Sequence, residues 1–517
     1  MDERGGGHKW LITVTVMVGT VMASLDASIV NVALPHMRGS LGASVEEITW
    51  VATGYMLSAV IIMPLIALLS SRFGRKRFQI FSVLLFTGAS MFCGTARNLT
   101  TLVVFRIIQG MGGGTLIPVA QAILRETFPL EEQGMAMSIY GLGVILGPAV
   151  APTLGGWIVD NYSWPWIFYI NVPVGIINIL LILRFIEDPP YLIREKGKVD
   201  LMGLVLMSVG LGALQIMLEK GNEKDWFASS LITYLAVTAF VGLLLFVWRE
   251  LTADRPAVNL RILKDLNFSS GAFLNGILGM GLFGSLFIFP LFLQQLLNYP
   301  AYNAGLAVLP RSVAMVISMQ LGGRVYNRAG PRLLVGVGLL LFAVSFYEFS
   351  RMSLDVGYWD IFLPQFLQGI GSGFIFVSLS TAVLSTIKKP LLTAATGLYS
   401  LFRQVFGSFG IALAATLLTR GETWNRALLV EHVTVFRDVT SHTQQALSTL
   451  LFSRGTDATI ADNQALKLLE GTVMRQASML SYNHVFALTA LVFLLSIPLV
   501  LLIKDTRRAT RARMVSG

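Results

Sequence analysis

Long apolar stretches recur along the whole chain and are separated by shorter polar segments. Each stretch holds roughly 20 residues, the length that an α-helix needs to cross a bilayer. The pattern predicts about fourteen membrane helices and an all-α integral membrane fold. The predicted helices are Leu11–Leu34, Ile48–Leu69, Phe78–Ala96, Leu102–Leu124, Ala136–Val159, Trp166–Phe185, Leu201–Leu218, Leu231–Trp248, Phe268–Leu293, Ala304–Leu321, Leu333–Phe349, Ile361–Leu384, Thr396–Leu418 and His484–Ile503.

The cations of the loops predict the orientation of these helices. They concentrate in alternate loops, and short loops rich in Lys and Arg stay in the cytoplasm. This places the N-terminus (1–10) and the basic tail (504–517) in the cytoplasm. The long outward loop Arg420–Asn483 also carries cations, but long loops cross a membrane regardless of charge. Leucines at helical spacing predict short amphipathic helices in this loop, which pack on the rest of this protein or on a partner. These leucines are Leu447, Leu450, Leu451, Leu466 and Leu469.

Two internal repeats divide the chain into similar halves. The segment Ala67–Lys76 recurs as Gly323–Arg332, so that Arg328 follows Arg72 by 256 residues. The segment Arg106–Gly114 recurs as Gln365–Gly373, 259 residues later. Parallel repeats of this kind build transporters from two bundles. We therefore predict six-helix bundles at 11–185 and 267–503, the latter including the loop 420–483, and a linker at 186–266 with two inserted helices. We predict that the two inserted helices pack outside both bundles, because they contain no buried charge.

Asp26 stands out because it lies deep in the first apolar helix. A carboxylate there costs several kcal/mol unless it is neutralised, and such residues usually serve ion coupling. A structural, hydrogen-bonded aspartate is the alternative. Asn31 lies outside the face that Asp26 shares, which suits packing, an interhelical hydrogen bond or the edge of a cavity. An isosteric Asp26→Asn protein should fold, since its amide avoids the cost of burying charge.

Composition excludes several other classes of protein. Only 13% of the residues are charged, about half the fraction of soluble domains, and 54% are hydrophobic. The net charge of +10 is explained by cytoplasmic loops and does not indicate nucleic acid. Cys93 is the single cysteine, which rules out an internal disulfide. The sequence has no P-loop, no HExxH motif and no zinc spacing of histidines, so we expect no metal and no ATP-driven transport. A membrane-embedded enzyme would need clustered catalytic polar residues, which the sequence lacks.

Four local patterns carry a resemblance to a known family. They are Ser24–Pro35, Ser71–Lys76, Arg106–Thr115 and Gly141–Gly156. With them the chain resembles the major facilitator superfamily, and in particular its fourteen-helix drug:proton antiporter group (EmrB/QacA type). The segments Trp164–Gly175 and Leu214–Phe227, together with Arg403-Gln404, are similar to the EmrB branch.

The resemblance implies roles for several residues. Asp26 would carry the proton and Arg106 would modulate it, although a snorkelling interfacial arginine would also explain Arg106. The first loop motif would be a gating latch, in which Ser71 and Ala67 replace the usual Asp and Gly. The latch residues are Arg72, Gly74 and Arg75, with Arg328 and Gly330 in the second half. The fifth helix would be a moving seam typical of exporters, formed by Gly147, Pro148, Pro152, Gly155 and Gly156.

The resemblance also implies a function and partners. The function is proton-driven export of hydrophobic or amphipathic toxic compounds from a bacterial inner membrane, without a cofactor. The alternative is transport of a dedicated metabolite, siderophore or lipid-like compound. An EmrA-like periplasmic adaptor and a TolC-like outer-membrane channel are the implied protein partners. A central cavity is expected between the bundles, with these candidate residues: Asn31, Gln109, Phe283, Phe287, Phe289, Gln294 and Arg403.

Overall fold

The computed structural model describes residues 5–189, 200–253, 256–434 and 436–505. These residues contain fourteen helices that are long and apolar enough to span a membrane, and no strand, which confirms the predicted fold class. The helices are α1 (Gly7–Leu41), α2 (Val45–Phe73), α3 (Arg75–Thr95), α4 (Leu99–Thr127), α5 (Gln133–Asn161), α6 (Trp166–Phe185), α7 (Leu201–Lys220), α8 (Ser230–Thr252), α9 (Leu266–Leu296), α10 (Asn303–Ala329), α11 (Pro331–Phe349), α12 (Tyr358–Thr386), α13 (Lys389–Val430) and α14 (Thr459–Leu502).

The helices form two bundles with the same pattern of neighbours. In the first bundle α1 packs on α5, α2 on α4, and α3 on both α4 and α6. In the second, α9 packs on α13, α10 on α12, and α11 on both α12 and α14. Adding eight to each helix number of the first set therefore gives the second set. The equivalence of the halves seen in the loop motifs extends to the packing of the helices.

Both ends of the described chain lie on one side of the molecule, which we call the terminal side. Near the N-terminus, Lys9 pairs with Glu132 between α4 and α5 at 2.6 Å. Near the C-terminus, Arg332 Nε donates to the Ile503 carbonyl at 2.8 Å. The Asn327 amide donates to the Glu131 carbonyl at 2.9 Å and joins these two loop regions. An even number of crossings is consistent with this arrangement.

The two bundles contact each other most closely in their terminal halves. The Ser138 hydroxyl of α5 donates to the Met319 carbonyl of α10 at 2.7 Å. One half-turn further along α5, the Tyr140 ring stacks on Phe376 of α12 with centroids 5.8 Å apart. Pro152, which lies further from the terminal side, is exposed. The contacts named here between α5 and the second bundle therefore close the seam at the terminal side.

The inserted helices occupy different positions relative to this seam. Helix α7 packs against both α2 and α13, whereas α8 packs mainly on α7. The Gln215 amide of α7 donates to the Ser408 hydroxyl of α13 at 2.8 Å, and Lys220 Nζ donates to the Thr49 hydroxyl at 2.9 Å. The pair lies outside the bundles, but α7 bridges them. Helix α7 also extends to Lys220, which is buried. The prediction that the inserted helices contain no buried charge therefore fails at this residue.

The last two helices extend well beyond a bilayer. Helix α13 has 42 residues and α14 has 44, and a rise of about 1.5 Å per residue makes each about twice as long as the hydrocarbon core is thick. A separate helix, Asp438–Ser453, packs on α14. It contains Leu447, but Leu466 belongs to the extension of α14 rather than to a second short helix. The result is a helical projection on the side opposite the termini.

Glycines of α5 let its backbone approach α1. A Cβ on Gly147 would meet the Ser24 side chain and the Leu25 backbone nitrogen, and one on Gly155 would lie 2.8 Å from Ile29 Cγ1. Gly156 has nothing within 4 Å of that position. Close packing through small residues is a principal source of helix association in membranes. The α1–α5 contact therefore depends on Gly147 and Gly155, but not on Gly156.

We expect Gly147→Ala to lower the free energy of unfolding by about 1–3 kcal/mol, because the added methyl group forces α1 and α5 apart. Reversible unfolding in mixed micelles, followed by tryptophan fluorescence, measures the change. Gly156→Ala is the matched control on the same helix and should be neutral or slightly stabilising, since alanine favours the helix. Equal losses in both variants would contradict the assignment of the contact to Gly147.

Candidate ion-coupling site

The Asp26 carboxylate is fully buried in the first bundle and is held by three donors. Arg106 Nη1 of α4 lies 2.7 Å from Oδ2, and Gln109 Nε2 lies 2.9 Å from Oδ1. Asn171 Nδ2 of α6 donates to Oδ1 at 2.8 Å. An ionised carboxylate only accepts hydrogen bonds, whereas a protonated one must also donate. All three contacts of Asp26 are donors, which is the kind of partner that a carboxylate oxygen accepts.

The Arg106 guanidinium is equally enclosed. Its Nε donates to the Val51 carbonyl of α2 at 3.0 Å, and Nη1 also reaches Gln109 Oε1 at 2.8 Å. The Tyr55 ring lies 4.3 Å from the guanidinium carbon, close enough for a cation–π interaction. Arg106 is 1% exposed, so it does not snorkel to an interface. It is the internal counter-charge of Asp26.

A second layer of hydrogen bonds ties this pair to the rest of the bundle. The Asn171 amide that contacts Asp26 also donates to the Ser90 hydroxyl of α3 at 3.0 Å. That hydroxyl donates to the Phe168 carbonyl at 2.9 Å. Together, the contacts of the pair engage α1, α2, α3, α4 and α6. A change in the charge of Asp26 would therefore act on five of the six helices of the bundle.

Sequence reasoning named Asp26 and Arg106 but assigned their neighbours incompletely. Gln109 was expected in the substrate cavity, and the structure instead places it against Asp26 with no exposed surface. Asn171, Ser90 and Tyr55 were missed. Only Asn171 gave a usable signal, since it is an amide in an otherwise apolar helix. Nothing in the sequence indicated that it and Asp26, 145 residues apart, would meet.

The loop between α2 and α3 forms a contact between the bundles through Arg75, not through Arg72. Arg75 pairs with Glu126 of α4 at 2.5 Å and donates to the Thr393 hydroxyl of α13 at 3.0 Å. Arg72 is exposed. Gly74 has a φ of 87°, which favours glycine, and its counterpart Gly330 has a φ of 82°. Arg328 is exposed at the equivalent loop of the second bundle.

The remaining cavity candidates do not form one site. Phe289 lies in an aromatic cluster inside the second bundle, with its ring centroid 4.5 Å from that of Phe349, so its assignment to the cavity is wrong. Asn31 and Gln294 are exposed. Arg403 is half-buried on α13 and lies over the Phe376 ring at 5.6 Å, beside the seam between the bundles. The other two candidates, Phe283 and Phe287, are half-buried on α9.

Two parallel six-helix bundles, the first of which encloses a buried ion pair, are an architecture of α-helical membrane transporters. The sequence comparison gives the same result in more detail. Residues 16–411 match the profile of the Major Facilitator Superfamily, and the chain belongs to that family.

Named relatives and solved structures are consistent with this membership. The chain is 36% identical to the fatty acid resistance protein FarB of Neisseria gonorrhoeae, over 97% of each chain. It is 34% identical to the multidrug export protein EmrB of Escherichia coli K12, over 96% of this chain and 95% of that protein. The human organic anion transporter MFSD10 shares the fold with a TM-score of 0.62 at 12% identity, covering 95% of this chain and 99% of the other.

The ion pair changes the expected outcome of Asp26→Asn. The amide removes the carboxylate that pairs with Arg106, and arginine stays charged in proteins. We therefore expect this variant to lose about 3–5 kcal/mol of unfolding free energy, contrary to the expectation from sequence. Arg106→Gln should cost less, because Asp26 can take up a proton. Unfolding in mixed micelles measures both changes.

The double variant Asp26→Asn/Arg106→Gln tests whether the pair acts as a unit. Neutral amides in both positions leave no buried charge, so the double variant should be more stable than Asp26→Asn alone. Additive losses would show that the two residues are not energetically coupled.

Proposed function

We propose that this protein is a secondary active transporter that exports hydrophobic or amphipathic toxic compounds in exchange for protons. The observation that carries the proposal is the buried Asp26–Arg106 pair at 2.7 Å, because ionisable residues inside a membrane protein usually serve as proton relays. The names of relatives support export: EmrB is a multidrug export protein, and FarB is a fatty acid resistance protein.

The cycle we infer couples this pair to the seam between the bundles. Loop charges assign the terminal side to the cytoplasm, so a seam closed at that side corresponds to an outward-facing state. Asp26 is then ionised and ready to accept a proton from outside. Protonation neutralises the carboxylate and weakens its attraction to Arg106, whose remaining contacts lie on α2 and α4. The helices around the pair then repack, and the terminal side opens.

Opening of the terminal side requires breaking a small set of contacts. These contacts include three hydrogen bonds, Arg75–Thr393, Ser138–Met319 and Asn327–Glu131, and the close approach of α5 to α10 at Gly134. Cargo then binds from the cytoplasm between the bundles, where Tyr140, Phe376 and Arg403 offer aromatic and cationic surface. Release of the proton restores the ion pair and returns the outward-facing state.

Proton coupling is tested in proteoliposomes with the double variant Asp26→Asn/Arg106→Gln, which avoids a buried lone charge. We expect it to exchange a dye such as ethidium down its gradient but not to accumulate dye when a pH gradient is imposed. Val14→Ala, a change at an exposed position on the same helix, is the control and should keep gradient-driven uptake. Accumulation by the double variant at the wild-type rate would exclude Asp26 as the coupling acid.

The cargo is tested by growth of an efflux-deficient bacterial strain that expresses this chain on a panel of drugs and fatty acids. Resistance to several chemically unrelated compounds would support multidrug export. The second candidate function is transport of one lipid-like class, which the name of FarB favours. Resistance restricted to fatty acids would support that candidate. No resistance to any compound, with the protein present in the membrane, would contradict both.

The projection formed by α13, α14 and Asp438–Ser453 is the surface we assign to a periplasmic adaptor of the EmrA type, which would pass cargo to an outer-membrane channel of the TolC type. Its apolar side chains are solvent-facing: Phe436 is 93% exposed and Val439 is 77% exposed. We expect Phe436→Ser/Val439→Ser to abolish co-purification with the adaptor from the native membrane while leaving export in proteoliposomes intact. Unchanged co-purification would exclude this surface.

A further inference from the structure

The first inserted helix and the loop after it lie between the two bundles on the side opposite the termini, which we call the outer side. The neighbours of α13 show this, because they change along its length. In the terminal half, a Cβ on Gly397 would lie 2.5 Å from the Met63 carbonyl oxygen of α2. Further out, the neighbour is α7, whose Gln215 donates to Ser408 at 2.8 Å. Helices α2 and α13 therefore meet in the terminal half, and α7 joins the contact with α13 further out.

The loop after α7 is anchored to the first bundle by two lysines. Lys220 is 7% exposed, and its Nζ donates to the Thr49 hydroxyl at 2.9 Å and pairs with Glu223 at 2.7 Å. Lys224 pairs with Glu46, at the start of α2, at 2.9 Å. Hydrogen bonds to charged groups are stronger than those between neutral groups. The anchor on α2 therefore includes a charge-assisted hydrogen bond from a buried ammonium group.

A weaker anchor joins the same loop to the second bundle. The Trp226 indole N–H donates to the Thr416 hydroxyl of α13 at 2.8 Å, and both of these groups are neutral. Arg420 of α13 lies 3.9 Å from Asp225, and both side chains are exposed, so that solvent screens this pair. Of the two anchors, the one on α13 therefore costs less free energy to break.

The loop between the two anchors is a tightly folded turn. Asp225 and Trp226 have φ values of 52° and 50°, which are rare for residues other than glycine. The Trp226 ring packs on Gly221, where a Cβ would lie 2.7 Å from the ring. Such backbone conformations persist only where the surrounding structure holds them, and they cluster at segments that switch. The loop is therefore a fixed spacer between α2 and α13.

We propose that residues 215–226 form a wedge that holds the outer ends of α2 and α13 apart. When the terminal side opens, one bundle rocks against the other, and the outer ends of these two helices approach. The wedge then leaves α13, because that anchor is the weaker one, and it stays on α2. The proposal rests on the transport function proposed above, but it concerns the positions of the helices and not the cargo.

Distances between two spin labels on protein in nanodiscs measure both sides of the molecule. For the terminal side the labels are attached at Arg77→Cys and Lys389→Cys, and for the outer side at Val45→Cys and Trp424→Cys. All four positions are exposed. The native Cys93 is buried and does not take up the label. A long terminal-side distance together with a short outer-side distance identifies molecules that are open at the terminal side.

Thr416→Val tests the anchor on α13, because valine keeps the shape of threonine and removes the hydroxyl that accepts from Trp226. The variant should raise the ratio of terminal-open to terminal-closed molecules about fivefold, which is the effect of one lost hydrogen bond. Thr423→Val, at an exposed position two turns further along α13, is the control and should leave the ratio unchanged.

Cross-linking with a short bis-maleimide tests which anchor releases. Glu46→Cys and Lys224→Cys fix the wedge to α2, and Asn222→Cys and Thr419→Cys fix it to α13, since the native side chains of each pair are in contact. The cross-link to α2 should leave exchange of ethidium in proteoliposomes intact. The cross-link to α13 should stop the exchange.

Three results would overturn the wedge: an unchanged ratio in Thr416→Val, an equal change in Thr423→Val, and dye exchange that continues when the wedge is fixed to α13. If Thr416→Val does not fold, Trp226→Phe keeps an aromatic ring, removes the indole N–H and carries the same expectation. A protein that exchanges no dye before cross-linking, but shows the expected change of distances in Thr416→Val, would contradict only the export function.

Discussion

The first bundle depends on an ion pair between a carboxylate and a guanidinium that are both buried from solvent. Neither Asp26 nor Arg106 has appreciable solvent exposure, so each charge is tolerable only because the other is present. The surrounding amides and carbonyls complete the hydrogen bonds that water would otherwise supply. Apart from Asp26, the described hydrogen-bond partners of Arg106 are neutral, namely the Val51 carbonyl and the Gln109 amide.

The close packing of the helices connects the helix that carries Asp26 to the second bundle. Glycines bring α5 against α1 on one face and against α10 on another, at Gly147 and Gly134 respectively. Helix α1 carries Asp26, and α10 belongs to the opposite bundle. Helix α5 therefore lies between the helix that carries Asp26 and the helix of the second bundle that closes the seam. Helix α7 adds a further connection, since it contacts α2 and α13 together.

The two halves share a pattern of packing but differ in charge. In the first bundle the buried polar positions form a balanced pair, and in the second Arg311 is left with neutral partners. Equivalent interior positions of the two bundles carry different residues, since Ser285 corresponds to Asp26 and Arg311 corresponds to Tyr55.

The sequence by itself determined the membrane class, the fourteen helices, the two halves and the central acid. Hydrophobic stretches of bilayer length, repeated loop motifs and a carboxylate in an apolar helix are local signals, and each can be read without knowing what lies beside it. Only the tertiary structure decided which residues meet. Asn171 reaches Asp26 across 145 residues, Gln109 turns inward rather than into a cavity, and Arg75 rather than Arg72 joins the bundles. Such contacts depend on the rotation and depth of each helix, which are set by packing against neighbours far away in the chain.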